Sequence, residues 1–218
     1  MTLTIPSKTI YRDHETTGGH PPRDTIYEIA MIDDEGRIII DTLVNPERPL
    51  PSGARYRGFT DEDFFGKPTL RELWPTIEAI ITGVHVVSYH AEADSRFYPK
   101  RLAAAGHVSC AMRRFAPVYG DYSAYHNDYS FKSLKVAADY IGYRPDGPVH
   151  RALTDAFTCR AVWRWLEDRD DFNAAPQPPA RISADGGRGA RHFPRPPAIS
   201  QAPLPLSMKR RFATRTAR

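Results

Sequence analysis

The sequence has few of the features that mark secreted or membrane-bound proteins. Its 218 residues include two cysteines, Cys110 and Cys159, so a small fold held together by several disulfides is excluded. The longest apolar-leaning stretch, residues 79–87, is interrupted by polar residues and is far shorter than the ~20 residues that a membrane-spanning helix needs. The chain does not begin with the charged and then apolar segments of a signal peptide. These features predict a cytoplasmic protein with no membrane partner.

Several catalytic motifs are also missing. The sequence has no G-x-S-x-G segment for a serine nucleophile, and neither a G-x-G-x-x-G nor a Walker A segment to hold a phosphate group. Zinc ligands are poorly represented, because the two cysteines are far apart and the eight histidines include no H-x-x-x-H pair. Carboxylates remain as candidates for chemistry, and they stand out in three segments.

Basic residues are concentrated at the C-terminal end. Residues 173–218 contain nine Lys or Arg residues and one acid, so they carry a charge of +8; since the whole chain carries +4, the remainder carries −4. The same segment holds eight of the 20 prolines and few large apolar residues, a composition that predicts a disordered tail. We interpret this tail as a solvated arm, a nonspecific clamp on nucleic acid, or an arm that docks on a polymerase or another protein.

Residues 7–172 have the patterning of one folded domain. Predominantly apolar runs predict strands, and a helical spacing of apolar residues predicts helices. The predicted strands cover residues 9–13, 25–32, 37–44 and 84–89, and the predicted helices cover residues 69–81, 95–105, 131–141 and 151–167. The intervening residues 45–58, which are rich in Pro, Gly and Arg, are predicted to form a loop. This order predicts a mixed α/β sheet with helices packed on it.

The first carboxylate segment, D-H-E-T-T-G, begins at Asp13 at the end of the first predicted strand. Asp13 and Glu15 are two residues apart, so a strand places both carboxylates on one face. Neighbouring carboxylates repel each other unless a cation lies between them or both reach water, and oxygen ligands suit Mg²⁺ or Mn²⁺. Gly18 then allows the backbone to approach a ligand closely. By itself the pair is more typical of a solvated strand end than of a metal site.

The other two carboxylate segments follow later predicted elements. Asp94 comes just after the fourth predicted strand, where an acid commonly begins a helix. Asp155 lies among apolar residues in the first turns of the last predicted helix, and His150 directly precedes that helix. A carboxylate in such surroundings needs a cation or a backbone donor, whereas a histidine in a loop is commonly a surface residue.

Together the three segments resemble the motifs of a known family, the DEDDh group of the DnaQ-like 3′→5′ exonuclease superfamily. Its D-x-E-T-T-G motif matches residues 13–18, its I-x-E-I-A pattern matches residues 26–30, and its G-[IF]-T-D-E-D segment matches residues 58–63. Its second motif, typically H-N-A-x-F-D, aligns with residues 89–94, and its third, H-R-A-L-x-D-A, matches residues 150–156.

The resemblance extends over about residues 7–168 and implies both a fold and a reaction. The expected fold is an RNase H-like mixed five-stranded sheet flanked by helices. The expected reaction is metal-dependent 3′→5′ exonucleolytic hydrolysis of phosphodiester bonds at the 3′ ends of nucleic acid, with DNA favoured. Two divalent ions, Mg²⁺ or Mn²⁺, would flank the scissile bond about 3.5–4 Å apart. A histidine would accept the proton of the attacking water as general base.

The resemblance also assigns roles to residues of this chain. The expected metal ligands are Asp13, Glu15, Asp94 and Asp155, and the expected general base is His150. The residues expected to contact the terminal nucleotide are Thr16, Thr17, Gly18, Phe59, Thr60 and His90. Stacking on the last base is one role for Phe59, and simple packing in the core is an equal alternative.

The sequence departs from the family's pattern at several positions. His90 stands where the family usually has Asn, and Ala93 stands where it usually has an aromatic residue. The spacing to Asp94 is kept, so the expected metal ligand remains while the contacts beneath the substrate differ. Arg12 occupies a position where the family has an apolar strand residue, and we expect this side chain to face solvent or a phosphate.

Two other functions stay open on the sequence alone. One is an exoribonuclease that trims RNA 3′ ends, since nothing in the sequence reads the sugar. The other is a nucleic-acid-binding module without catalysis, which we disfavour because all five residues expected to form the metal site and the general base are present. The expected partners are single-stranded DNA or RNA 3′ ends, together with a polymerase or another protein reached through the tail.

Overall fold

A computed structural model of the protein describes residues 9–148 and 150–169. The strands of this part are β1 (Thr9–Thr16), β2 (Ile26–Asp33), β3 (Ile38–Leu43), β4 (His85–Ser88), β5 (His107–Cys110), β6 (Tyr122–Ser123) and β7 (Asp128–Tyr129). Its α-helices are α1 (Ser52–Tyr56), α2 (Leu70–Ile81), α3 (Ala91–Ser95), α4 (Ala111–Tyr119), α5 (Leu134–Ile141) and α6 (Ala152–Glu167). Short 3-10 helices cover Asp61–Phe64 and Pro99–Leu102.

Some expectations fall beyond this part of the chain. The predicted disorder of residues 173–218, and both predicted boundaries of the domain, lie outside the described residues. Within residues 9–148 and 150–169, no helix combines the length and the apolar character that crossing a membrane requires.

Five strands form one sheet in the order β3-β2-β1-β4-β5, with β1 at its centre. β2 is antiparallel to β1 and β3, whereas β4 is parallel to β1 and β5. The predicted mixed five-stranded sheet flanked by helices is therefore confirmed. β1 pairs with β4 through Thr9, Ile10 and Tyr11, so the later residues of β1 extend past β4. This edge, at the carboxyl ends of parallel strands, is where ligands commonly bind in open α/β sheets.

Helices bury an apolar cluster on each face of the sheet. On one face, Ile10 of β1 belongs to a buried cluster that includes Ile77 and Ile80 of α2. On the other face, Tyr11 belongs to a buried cluster that includes Cys159 of α6. Successive side chains of β1 thus point to opposite faces of the sheet. Asp13 and Glu15 point to the same face as Tyr11, the face that α6 covers.

The helices that the sequence predicts well have recognisable ends. α2 begins after Thr69, whose hydroxyl accepts a hydrogen bond from the Glu72 backbone N–H at 3.3 Å while the Glu72 carboxylate accepts from the Thr69 N–H at 2.7 Å. This capping box satisfies two N–H groups that the helix itself leaves unpaired. α5 begins after Ser133, whose hydroxyl accepts from the Val136 N–H at 3.3 Å, so this helix starts later than the predicted residue 131.

The predicted helix over residues 95–105 is wrong. The chain instead completes the short α3 at Ser95 and then forms the 3-10 helix Pro99–Leu102. Pro99 has no N–H to continue an α-helix and disfavours helical geometry at the residue before it. The composition of residues 95–105 suits a helix, but the proline interrupts it.

Two further differences concern segments with weak sequence patterns. Residues 45–58 are not all loop, because they contain the short helix α1. β5 and α4, over residues 107–119, are missing from the elements predicted by pattern. β5 is an edge strand of four residues with His107 exposed, and α4 contains Pro117, so neither gives a clear periodic signal.

Candidate active site

The end of β1 carries the first two expected metal ligands. Asp13 and Glu15 lie on the face of the sheet that α6 covers, and both are half-buried. Across the antiparallel pair, Asp13 is opposite Ala30 of β2 and Glu15 is opposite Glu28. The register shifts between Glu15 and Thr16, so the regular ladder is disturbed just after the second carboxylate.

Asp94 reaches the same edge of the sheet from α3. This helix follows β4, which is parallel to β1, so both strands lead their acids to one end of the sheet. The Asp94 backbone N–H donates to the His90 carbonyl at 3.0 Å, which fixes the residue in its turn. Burial raises the pKa of Asp94, while the charges of Arg12 and His90 oppose that increase.

The third segment places His150 and Asp155 beside Glu15. One ligand atom from each of Glu15, His150 and Asp155 lies within 4.8 Å of the other two. Asp155 lies in the first turn of α6 and is half-buried, whereas His150 is exposed and precedes the helix with a left-handed backbone, φ 58°. The structure therefore brings together residues that are more than 130 positions apart in the chain.

The charges of the other acids act on Asp13. Burial raises the pKa of Asp13 well above its usual value, and the charges of Asp94, Asp155 and Glu15 raise it further. Burial also raises the pKa of Glu15, to about 7, against the opposing charge of Arg57. We call Asp13, Glu15, Asp94 and Asp155 the carboxylate site.

The carboxylate site fits divalent cations. Burial raises the pKa of Asp155 as well, so all four acids are shifted towards the neutral form in the absence of a metal. Partly desolvated carboxylates that repel each other are stabilised by a cation between them. Their oxygens form the hard ligand set that Mg²⁺ and Mn²⁺ accept, and the exposed His150 lies beside them.

A positively charged side chain that the sequence did not indicate contacts this site. Arg57, which follows α1, donates from Nη1 to Oε2 of Glu15 at 3.1 Å and also contacts the hydroxyl of Tyr27. Its side chain is about one quarter exposed, at 27%. Arg57 lies in the segment predicted as a loop, just before the motif at Gly58, and no pattern distinguished it from its basic neighbours.

Arg12 does not face solvent or a phosphate, so that expectation is wrong. The side chain is completely buried, with its guanidinium carbon 4.6 Å from the centre of the Tyr98 ring. Its Nη1 lies 2.9 Å from Nδ1 of His14. Arg12 is on the face opposite Asp13, and its charge partly offsets the burial that raises the pKa of Asp94.

Thr16, Thr17 and Gly18 form the turn that leaves β1 beside the carboxylate site. The Thr17 backbone N–H donates to the Thr25 carbonyl at 2.8 Å, and the Thr25 N–H donates to the Thr17 hydroxyl at 3.0 Å. At Gly18, an added Cβ would lie 2.6 Å from the Asp24 carboxylate. The glycine is thus explained by packing against Asp24, a reason that the sequence did not reveal.

Phe59 and Thr60 lie on the neighbouring segment. Phe59 is half-buried and makes edge contacts with the rings of Tyr27 and Phe64, with centroids 6.0 and 5.8 Å apart. Thr60 is exposed and caps the following 3-10 helix, its N–H donating to Asp63 Oδ2 at 2.7 Å. Core packing thus holds the ring of Phe59, which stays partly exposed.

A further ion pair lies beneath the site. Nε of Arg151 donates to Oε1 of Glu28 at 2.7 Å, and Glu28 is 1% exposed. Both residues belong to segments that match the family's motifs. The resemblance implies that Glu28 lies near the site, where we expected a structural role for it, and it assigned no role to Arg151.

The fold and the site together define an exonuclease of the DnaQ-like class, with an RNase H-like fold. Residues 10–162 match the family model of the RNase T exonucleases. The chain belongs to this exonuclease family, which is a family of nucleic-acid hydrolases. The family proposed from the sequence motifs is confirmed.

Two curated relatives illustrate this membership. The chain is 30% identical to the uncharacterized exonuclease CP81 of Escherichia phage 186 over 159 residues, which are 67% of this chain and 81% of the relative. It is 29% identical to the epsilon subunit of DNA polymerase III from Aquifex aeolicus (strain VF5) over 154 residues, which are 66% of this chain and 72% of the relative.

Solved structures show the same fold at low identity. Exonuclease X in complex with 5′ overhanging duplex DNA matches with a TM-score of 0.53 and 22% identity, over 71% of this chain and 88% of that one. E. coli Exonuclease I in complex with a dT13 oligonucleotide matches with a TM-score of 0.57 and 17% identity, over 75% of this chain and 41% of that one. The Mg²⁺- and Mn²⁺-bound form of S. pombe Pop2p matches with a TM-score of 0.57 and 14% identity, over 75% of this chain and 84% of that one.

Proposed function

We propose that this exonuclease removes nucleotides from the 3′ ends of nucleic acid, with single-stranded DNA as the favoured substrate. The observation that carries the proposal is the convergence of Glu15, His150 and Asp155 within 4.8 Å, beside the charge-coupled Asp13. Carboxylates and a histidine in this proximity are suited to metal-assisted hydrolysis of a phosphodiester. His150 is exposed to solvent, so it is accessible to a substrate.

The carboxylate site would hold two divalent ions, Mg²⁺ or Mn²⁺. Asp13 lies among the other acids electrostatically and would contact both ions, Glu15 and Asp155 would hold one of them, and Asp94 would complete the set. When bound, such ions activate water and offset the charge that develops on the leaving 3′ oxygen. The family's solved relatives support this choice, since one of them is the Mg²⁺- and Mn²⁺-bound Pop2p.

His150 would accept the proton of the attacking water. It is exposed, it lies within reach of Glu15 and Asp155, and an imidazole has an ordinary pKa near ~6.5, which suits proton transfer near neutral pH. His150 would then release the proton to solvent.

The terminal nucleotide would lie against the turn after β1 and the segment after α1. Thr16, Thr17 and Gly18 would approach its sugar and phosphate through the backbone. Phe59 would contact the last base with the exposed part of its ring, and Thr60 would lie next to it. His90, exposed between β4 and α3, would stand on the opposite side of the substrate, where the family usually has an asparagine.

The relatives support a DNA substrate and a polymerase partner. One solved relative is bound to duplex DNA with a 5′ overhang and another to a dT13 oligonucleotide. A curated relative is a subunit of DNA polymerase III. The basic residues 173–218 would serve either as a clamp on nucleic acid or as an arm that docks on such a partner. Removal of these residues separates the two roles, because a clamp loses salt-dependent affinity for nucleic acid and a docking arm does not.

The direct test is a nuclease assay on 5′-labelled single-stranded DNA and RNA of one sequence, with Mg²⁺, Mn²⁺ or EDTA. We expect a ladder that shortens from the 3′ end, appears faster on DNA, needs the metal and disappears in Asp13→Ala. Faster shortening of RNA would instead indicate an exoribonuclease. Loss of the 5′ label as a single nucleotide would contradict the 3′→5′ polarity. Retardation of both strands without any hydrolysis would leave a binding module.

A further inference from the structure

Glu28 is a fifth carboxylate at the site, and it differs from the other four. It lies on β2 directly opposite Glu15, and residues opposite each other on an antiparallel pair have side chains about 5 Å apart. It is 1% exposed and is held by Arg151 through the 2.7 Å contact between Oε1 and Nε. An ionised carboxylate this deeply buried needs such a partner, so Glu28 and Arg151 act as one unit.

Arg151 connects three parts of the site. Its guanidinium carbon lies 4.9 Å from the centre of the Phe59 ring, a distance at which a cation is attracted to an aromatic face. Its backbone carbonyl accepts the N–H of Asp155 at 3.0 Å in the first turn of α6. It is also the residue directly after His150, so the position of its side chain constrains the histidine's backbone.

The backbone of His150 needs such a constraint. With φ 58°, it adopts the left-handed conformation, which is uncommon for a residue other than glycine and costs free energy unless neighbouring contacts impose it. On the C-terminal side of His150, the contacts that do so are those of Arg151 with Glu28 and Phe59.

We propose that Glu28 is a positioning residue which, through Arg151, holds His150 at the carboxylate site and Phe59 at the substrate end. This inference rests on the proposed function, since it assigns His150 the work of a general base. Glu28 is not a ligand of the ions in this proposal, because it is 1% exposed and its ionic partner is Arg151; the metal-affinity measurement below tests this distinction. The buried ion pair thus anchors His150, the proton acceptor, and Phe59, which contacts the substrate, to strand β2.

The chain offers a matched control for this ion pair. Asp33, at the other end of β2, is also buried, and its Oδ2 accepts from Nε of Arg37 at 2.6 Å. The Arg37→Met variant therefore breaks a similar pair on the same strand, away from the carboxylate site. The variants that test the proposal are Arg151→Met, Glu28→Gln and their combination.

Hydrolysis of labelled single-stranded DNA should separate these variants. We expect Arg151→Met and Glu28→Gln each to lower kcat roughly tenfold to a hundredfold, the cost of a small misplacement of a reacting group. The affinity for Mn²⁺, measured by calorimetry without nucleic acid, should stay within about twofold, because neither residue is a ligand of the ions in this proposal. The double variant should be no slower than the slower single one, as for residues that act through one contact. Arg37→Met should keep its kcat.

Two results would overturn the proposal. Unchanged kcat in Arg151→Met would show that the pair does not position His150. A tenfold or greater loss of Mn²⁺ affinity in Glu28→Gln, with normal affinity in Arg151→Met, would make Glu28 a metal ligand instead.

A measurement without catalysis separates this inference from the proposed function. Absence of hydrolysis by the natural sequence would contradict the proposed function before any variant is compared. NMR relaxation of the His150 backbone amide then still tests the positioning. We expect faster, larger motion of this amide in Arg151→Met and not in Arg37→Met, and equal motion in both would overturn the inference.

Discussion

Arg57 donates a hydrogen bond to Glu15 at 3.1 Å, and this contact places a fixed positive charge beside the carboxylate site. The guanidinium lowers the pKa of Glu15 against the effect of burial, and it also lowers that of Asp155. The same charge repels any divalent cation that approaches these acids. Arg57 therefore stabilises the site without metal at the expense of its affinity for metal.

The Arg57→Gln substitution should tighten the binding of Mn²⁺. Removal of a unit charge near the surface of a protein changes the interaction with a nearby ion by about 1–2 kcal/mol, so we expect a dissociation constant roughly tenfold lower at about pH 8. Calorimetry on the protein without nucleic acid measures it directly. Arg55→Gln is the control, because that arginine pairs with Asp61 at 2.6 Å and is exposed. Equal affinities in the two variants would contradict the role given to Arg57.

Stability without metal should fall as the pH rises from about 5 to about 8. The folded protein raises the pKa of Asp13, and that of Glu15 to about 7, so it binds protons that the unfolded chain has already released above its own pKa near ~4. Because the folded state then holds more protons, raising the pH through this window lowers the free energy of unfolding. Urea unfolding at several pH values in EDTA measures the slope.

Mn²⁺ should reverse this effect, because a bound cation stabilises the ionised acids. We expect Mn²⁺ to raise Tm at about pH 8 and to have much less effect at about pH 5, where protons compete for the same oxygens. The Glu15→Gln variant should lose much of both the pH dependence and the response to metal. A metal-induced rise in Tm that is the same at both pH values would count against a site made of these carboxylates.

The sequence revealed the site residues that local rules and motifs describe. Asp13 and Glu15 could be placed on one face because a strand alternates its side chains, and α6 could be predicted from the spacing of its apolar residues. Their convergence with Asp94 was implied by the family's motifs. The helix from 95 to 105 failed because Pro99 outweighed a favourable composition.

Other parts of the site depend on contacts between distant segments. Arg57 contacts Glu15 across 42 positions and Arg151 contacts Glu28 across 123, so no local pattern records either pair. Arg12 was expected at the surface because of its charge, yet the ring of Tyr98 and the ring of His14 allow it to be buried. Charged residues that pair with distant segments are thus where local rules failed and where tertiary contacts decided the outcome.

Asp13→Asn should abolish activity and increase stability. In the proposed site Asp13 contacts both ions, so its loss should slow hydrolysis at least a thousandfold. The same change removes a buried charge that three neighbouring carboxylates destabilise, so the metal-free protein should gain about 1–3 kcal/mol at about pH 8. Urea unfolding in EDTA, paired with the nuclease assay, measures both effects.

Asp139→Asn is the control for this substitution. Asp139 lies on α5, is exposed and pairs with Lys135 at 2.6 Å, so its loss should change neither activity nor stability by much. Destabilisation of the metal-free protein by Asp13→Asn would indicate that Asp13 is stabilised by contacts other than a metal ion.

Gly18 and Gly19 should respond differently to the same added methyl group. A Cβ at Gly18 would lie 2.6 Å from the Asp24 carboxylate, which accepts the His20 N–H at 2.9 Å, whereas a Cβ at Gly19 would meet nothing within 4 Å. Overpacking of this kind costs about 1–3 kcal/mol, so Gly18→Ala should lower the free energy of unfolding by that amount and Gly19→Ala should leave it nearly unchanged.

Since Asp24 causes the clash at Gly18, the combination of Gly18→Ala with Asp24→Ala should lower the free energy of unfolding by less than the sum of the two single changes. Urea unfolding of the four variants measures this coupling, and simple additivity would contradict the packing of Gly18 on Asp24.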